Sequence, residues 1–182
     1  MVKSSPLVLA CTAAVTFPLA LSAQSSAKIA SAVSAAPPSI SAKATVMDWD
    51  QSILREGSNS WTCLPDDPGT PGNEPACMDQ TWMKWAQGYL NKQPPEVDRI
   101  GVTYMLAGDT PSSNTDPFAT GPTADNEWLT DTHPHLMILV PDTSMLEGIP
   151  VHAEGGPWVM WRNTPYVHIM VPLSDGSGPL GG

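Results

Sequence analysis

Trp158-Val159-Met160-Trp161-Arg162-Asn163-Thr164-Pro165-Tyr166-Val167-His168-Ile169-Met170-Val171-Pro172 is the stretch whose reading decides the fold. Two runs rich in β-branched and aromatic residues, 158–162 and 166–173, flank Asn163-Thr164-Pro165, and so short a link joins neighbours as an antiparallel hairpin. In the second run His168 and Met170 alternate with Ile169 and Val171, so a strand places imidazole and thioether on one face and aliphatics on the other. The same pattern stands upstream in His135-Leu136-Met137-Ile138, before Val140-Pro141.

Other segments extend the sheet. Residues 99–107 read as a strand with Val102, Tyr104 and Leu106 on one side. Residues 44–49 form a further strand, and 52–55 with 60–64 look like a hairpin around the turn signal Glu56-Gly57-Ser58-Asn59. The one convincing helix is 78–91. There Met78, Trp82, Trp85 and Tyr89 recur at helical spacing, Asp79 can cap the first turn, and Pro94-Pro95 lie just beyond the end. These elements predict an α+β domain over 44–175: a twisted antiparallel sheet packed on one face by a single main helix, with long irregular loops.

The ends have their own compositions. Lys3 followed by an uncharged apolar run over 6–21, with Ser25-Ser26-Ala27 as a small-x-Ala site, reads as a cleaved signal peptide over 1–27. Cys11 after Ala10 has the look of a lipidation site, but it lies too near the start and the apolar run continues past it. Residues 28–43, almost entirely Ala, Ser, Ile, Val and Pro, read as a spacer, and 176–182 as a flexible Gly-rich tail. After the signal no stretch is long and apolar enough to span a bilayer. The product is expected outside the cytoplasm, in the periplasm or secreted.

Cys63 and Cys77 are then the two cysteines of the exported chain, an even count that predicts a disulfide closing the Pro/Gly-rich loop between them. The formal net charge is −10, with only eight basic residues. Such a surface repels phosphate backbones, so nucleic acid is excluded as a partner; an unidentified small ligand or envelope protein remains.

The segments Leu54-Arg55-Glu56-Gly57, Trp61-Thr62-Cys63-Leu64-Pro65, Ser113-Asn114-Thr115-Asp116-Pro117-Phe118 and Gly155-Gly156-Pro157-Trp158-Val159-Met160-Trp161, with Thr164-Pro165-Tyr166 onward to Pro172, resemble a group of secreted bacterial proteins of uncharacterised function. The resemblance spans most of the domain and implies an envelope or secreted protein. It carries no activity and no catalytic residue.

Three chemistries are open. If the aliphatic sides of all strands face the helix, the opposite face gathers Met105, His135, Met137, Leu139, Trp158, Met160, Tyr166, His168 and Met170. Imidazole with thioether suits copper(I), so His135, Met137, His168 and Met170 are the candidate metal ligands of an envelope copper protein. No other cofactor is implied. The loop 108–132 is long enough to be functional. Its Ser112, Ser113, Asp109 and Asp116 can meet His135 or His168 as in a hydrolase, while Asp109, Asn114, Asp116, Asp125 and Glu127 lack the spacing of a calcium loop. His133 and His152 read as solvated loop residues. The plainest reading is a non-catalytic binding or structural module in which methionine fills the core and the histidines are hydrogen-bonded.

Overall fold

The computed structural model describes residues 17–130 and 133–173. The expected signal start, Cys11, residues 131–132 of the long loop and the Gly-rich tail lie outside them. In chain order the elements are α1 (Phe17–Ser34), α2 (Pro38–Ser41), β1 (Thr45–Met47), β2 (Ile53–Arg55), β3 (Thr62–Leu64), β4 (Ala76–Met78), α3 (Gln80–Leu90), β5 (Gly101–Met105), β6 (Ser112–Ser113), β7 (Trp128–Leu129), β8 (His135–Leu139), a 3-10 turn at Thr143–Leu146, β9 (Trp158–Met160) and β10 (His168–Pro172). Eight strands form one sheet in the order β2-β1-β3-β4-β5-β8-β10-β9, and β6 with β7 makes a small separate ribbon. Among the described residues the architecture is a large, mostly antiparallel sheet with three α-helices.

Helix α3 forms where its aromatic stripe predicts, two residues shorter at the start. Met78 belongs to β4, and Asp79 is the N-cap, its carboxylate accepting from Trp82 N at 2.9 Å. The other oxygen of Asp79 accepts from Val102 N at 2.8 Å, which ties the helix start to β5. Trp82 and Trp85 are buried. Gly101 lets the helix come close, since a Cβ there would stand 3.0 Å from the Thr81 side chain.

The face beneath α3 is the reverse of the one expected. The helix covers the His/Met side, where Trp82, Trp85, Met105, Leu139, Trp158, Met160 and Met170 form the main core. The aliphatic side, with Val102, Leu136, Ile138, Ile169 and Val171, is only half-buried. Broad rings on α3 leave irregular gaps, and unbranched methionines fill such gaps better than β-branched residues do.

A second core lies on the opposite face, where Ala32, Ala35, Ala36, Ala44, Val46 and the two cysteines pack with Tyr104. It corrects the reading of 28–43 as a spacer. These residues form the end of α1 and all of α2, and they are bound to the sheet: Leu106 N donates to Ala35 O at 3.0 Å, Arg55 Nη2 donates to Ser41 O and Ala44 O, and Lys28 pairs with Asp48. Small side chains build no core alone, yet against a ready sheet they allow a helix to pack closely. The domain therefore carries helices on both faces rather than one.

Two connections also differ from expectation. β2 and β3 do not form a hairpin, because β1 lies between them, antiparallel to β2 and parallel to β3. Gly57 makes this possible, as a Cβ there would sit 2.2 Å from Thr45 N. The link from β9 to β10 runs over 161–167 rather than three residues, with Trp161 and Asn163 in the left-handed region at φ 56° and 64°. Cys63 and Cys77 stand directly opposite each other on β3 and β4, fully buried, with their sulfurs at bonding distance. Among the described residues no helix is long and apolar enough to cross a membrane.

Candidate functional site

The face under α3 is a grid read from strand register. One row runs Thr103, Met137, Met170, Trp158 across β5, β8, β10 and β9. The row toward the start of β8 holds Met105, His135 and Pro172. The row toward its other end pairs Gly101 with Leu139, and His168 with Met160. His135 and His168 thus share a face, as expected of the doubled motif, and Met137 and Met170 are direct partners. The histidines lie two rows, four residues, apart, about 14 Å along the strands at roughly 3.4 Å per residue. Antiparallel pairing is the cause: it reverses one His-x-Met against the other, so the thioethers meet and the imidazoles diverge.

His168 sits in the core. It is 1% exposed, with Trp82, Trp85 and Trp161 all edge-on at ring distances of 5.0–5.7 Å. Its Nδ1 donates to Tyr166 O at 3.0 Å. Burial pushes its pKa down to about 4, so the ring is neutral. The aromatic surround extends outward through Tyr89, stacked on Trp85, Trp161 and Phe118.

His135 occupies a different setting. Past β5 the chain turns at Gly108, φ 122°, and brings Asp109 and Thr110 over the end of β8. Gly72 holds this turn in place from the Cys63–Cys77 loop, approaching so closely that a Cβ would stand 2.5 Å from Asp109 O. Asn73 Nδ2 donates to Ala107 O at 3.1 Å. Asp109 Oδ2 then lies 3.5 Å from His135 Nε2. His135 Nδ1 is 2.8 Å from His133 O, and since a carbonyl only accepts, Nδ1 carries the proton and Nε2 faces the carboxylate. Nε2 is buried with no hydrogen-bond partner, and so is Thr110 Oγ1. Burial raises the pKa of Asp109, an effect the neighbouring His135 opposes.

These groups line a pocket of about 60 Å³ whose walls include Asp109, Thr110, Ser112, His135, Trp158 and Met170. At roughly 10–15 Å³ per water it has room for a few water molecules, too little for an organic cofactor. Of the four expected metal ligands, His135 and Met170 reach this pocket. Ser112 is there too, and the two ring nitrogens of His135 face the His133 carbonyl and the Asp109 carboxylate. Among the described residues no group of three or more His, Cys, Asp or Glu is placed to hold a metal ion.

Sequence reasoning missed what Asn114 does in the loop beside the pocket. Asn114, 3% exposed, donates through Nδ2 to Glu127 Oε2 and Val151 O and accepts at Oδ1 from Trp158 Nε1. Its backbone donates to Glu127 O and accepts from Trp161 N. Trp161 Nε1 adds a bond to Ser113 O at 2.7 Å. This hub clamps the 108–132 loop against β9. It also commits Asn114 and Glu127 to structural bonds, and His152, exposed, pairs with Glu127 at 3.0 Å. The only sequence signal was the quoted Ser113-Asn114 motif. No known protein family matches the chain, nor does any curated protein or solved structure.

Proposed function

We propose that this chain is an exported, periplasmic or secreted, non-catalytic binding module that holds a small polar ligand in the pocket under the 108–132 loop. The observation that carries this reading is the pair of buried, unpartnered polar atoms, His135 Nε2 and Thr110 Oγ1, on the walls of one pocket. Leaving a buried polar group unsatisfied costs about 1–3 kcal/mol, so a ligand that pairs with both recovers that cost on binding. The apolar wall of Trp158 and Met170 limits the occupant to something small. The leader-like start, the cysteine pair at bonding distance and the resemblance to secreted proteins support export.

The copper reading has one observation in its favour, the direct pairing of Met137 with Met170. It takes second place because their histidines diverge.

Titrating the ¹⁵N-labelled chain with small alcohols, amides and amines tests the pocket. The expected result is that binders shift the amide signals of residues 109–112 and 135. Binding confined to other surfaces, or none at millimolar concentration, overturns the reading.

A further inference from the structure

We infer that a second cavity, on the outer face of the sheet at β9 and β10, binds a short peptide with free termini, a dipeptide or tripeptide carrying an aliphatic side chain. The cavity is about 530 Å³ and lies between the 3-10 turn at Thr143–Leu146 and the link that follows β9. Small-molecule sites run to roughly 300–1,000 Å³. It shares no lining residue with the pocket under the 108–132 loop.

A break in strand alternation opens this cavity. An unbroken β9 would carry Trp161 on the outer face, two residues past Val159. Trp161 instead has φ 56°, and its ring stacks on Trp85 and Tyr89 beneath α3. Met160 and Trp161 therefore enter the same core, and the outer position beyond Val159 is left without an indole. A bulky residue keeps a left-handed backbone only where its surroundings over-determine it, and such residues gather at ligand clamps. Here Trp161 N donates to Asn114 O at 2.8 Å, Trp161 Nε1 to Ser113 O at 2.7 Å, and Thr164 Oγ1 to Trp161 O at 2.7 Å. The opposite wall is fixed as well: Val159 N donates to Pro150 O at 2.8 Å, Asp142 caps the 3-10 turn, and Leu146 is buried. A preformed cavity spares its ligand the cost of ordering the walls.

The lining names the occupant. Val159, Val167 and Leu146 supply an apolar floor, while Arg162 and Glu147 stand on the walls. Among the described residues neither Arg162 nor Glu147 has an ion-pair partner, although both border one cavity. A guanidinium fork takes a carboxylate in two parallel hydrogen bonds, and a carboxylate accepts from an ammonium group. A molecule bearing both groups answers both walls. A simple anion would face Glu147 and the repulsion of a chain with formal net charge −10, and a simple cation would face Arg162. A zwitterion is neutral overall and meets neither obstacle. A cavity of about 150 Å³ holds one benzene, so this one has room for two or three residues with a side chain on the aliphatic floor.

Dileucine with free termini, titrated into the ¹⁵N-labelled full chain alongside its C-terminal amide and its N-acetyl form, tests the inference. Free dileucine should shift the amide signals of residues 143–147, 162–164 and 167. Each blocked form should bind at least about tenfold more weakly, the effect of losing one charge-assisted contact. Arg162→Gln should erase the preference for the free acid over the amide, and Glu147→Gln the preference for the free amine over the acetyl form. Both side chains are exposed, so the variants should melt with the unaltered chain. The comparison of free and blocked dileucine uses the unaltered chain and decides the matter even where a variant fails to fold. No shift of these residues at millimolar concentration, equal affinity for either blocked form, or undiminished discrimination in a folded variant overturns the inference. Shifts at 109–112 and 135 from small alcohols, amides and amines bear on the other pocket alone, so the two readings stand or fall separately.

Discussion

His135 and His168 begin the same short motif, stand on the same sheet face, and live in opposite chemical environments. His168 is enclosed by three indole rings and held neutral by burial. His135 ends the grid two rows away, where the covering helix gives way to a loop that brings a carboxylate to 3.5 Å. The difference teaches that a residue pattern along a strand sets which face a side chain takes, while the element laid over that face sets what the side chain does. Under α3 an imidazole is one more ring of the core. Under the 108–132 loop it lines a pocket.

The sharpest way to break the comparison is to remove the cover at the core end. Trp85 stacks on Tyr89 and Trp161 and meets His168 edge-on. Trp85→Ala should destabilise the domain by roughly 3–5 kcal/mol in urea unfolding, the cost of truncating a large core aromatic. A loss below about 1 kcal/mol would place the aromatic cluster outside the core.

The next effect is in the pH dependence. A histidine whose folded-state pKa lies below its unfolded value binds its proton less well when folded. The contribution of His168 is therefore complete above the ordinary value of 6.5 and is lost as the pH falls through about 4. A shift of that size corresponds to about 3 kcal/mol at 1.36 kcal/mol per pKa step. Unfolding curves of the unaltered chain and of His168→Phe, measured from pH 7.5 to 4, should diverge by about that amount, the variant losing less. Parallel curves would mean that His168 is not held neutral by its surroundings.

The smallest effect belongs to the pocket end. His135→Gln should cost less than the same change at His168, about 1 kcal/mol, because at the pocket end the new amide has the Asp109 carboxylate and the pocket's polar wall beside it. His168→Gln should cost at least about 2 kcal/mol, since it buries a primary amide among indole rings. Equal losses in the two variants would erase the distinction between core and pocket.

Much of this fold is written in alternation. The strands around 101–105, 135–139 and 168–172, the antiparallel pairing of 158–160 with 168–172 and the capping of α3 by Asp79 all follow from local pattern and capping chemistry. The Ala/Ser-rich stretch 28–43 was misread for a physical reason: small residues carry no periodic signal of burial, and only the sheet opposite makes Ala32 and Ala35 core residues. The crossing of β1 between β2 and β3 was likewise illegible, because it depends on the close approach of Gly57 to the backbone of Thr45, which lies in neither strand that Gly57 was expected to join.

Of the candidate site, the sequence by itself determined that His135 and Met137 share one face, that His168 and Met170 share one face, and that Asp109 follows a strand in a long loop. Parity within a strand is enforced by the pleat and needs no partner. Register between strands, the choice of which face α3 covers, and the meeting of Asp109 with His135 across 3.5 Å were decided only in three dimensions. Each depends on groups far apart in the chain: the antiparallel reversal that parts the two histidines, the indole rings that select the methionine face, and the Gly72 contact that sets the turn bearing the carboxylate.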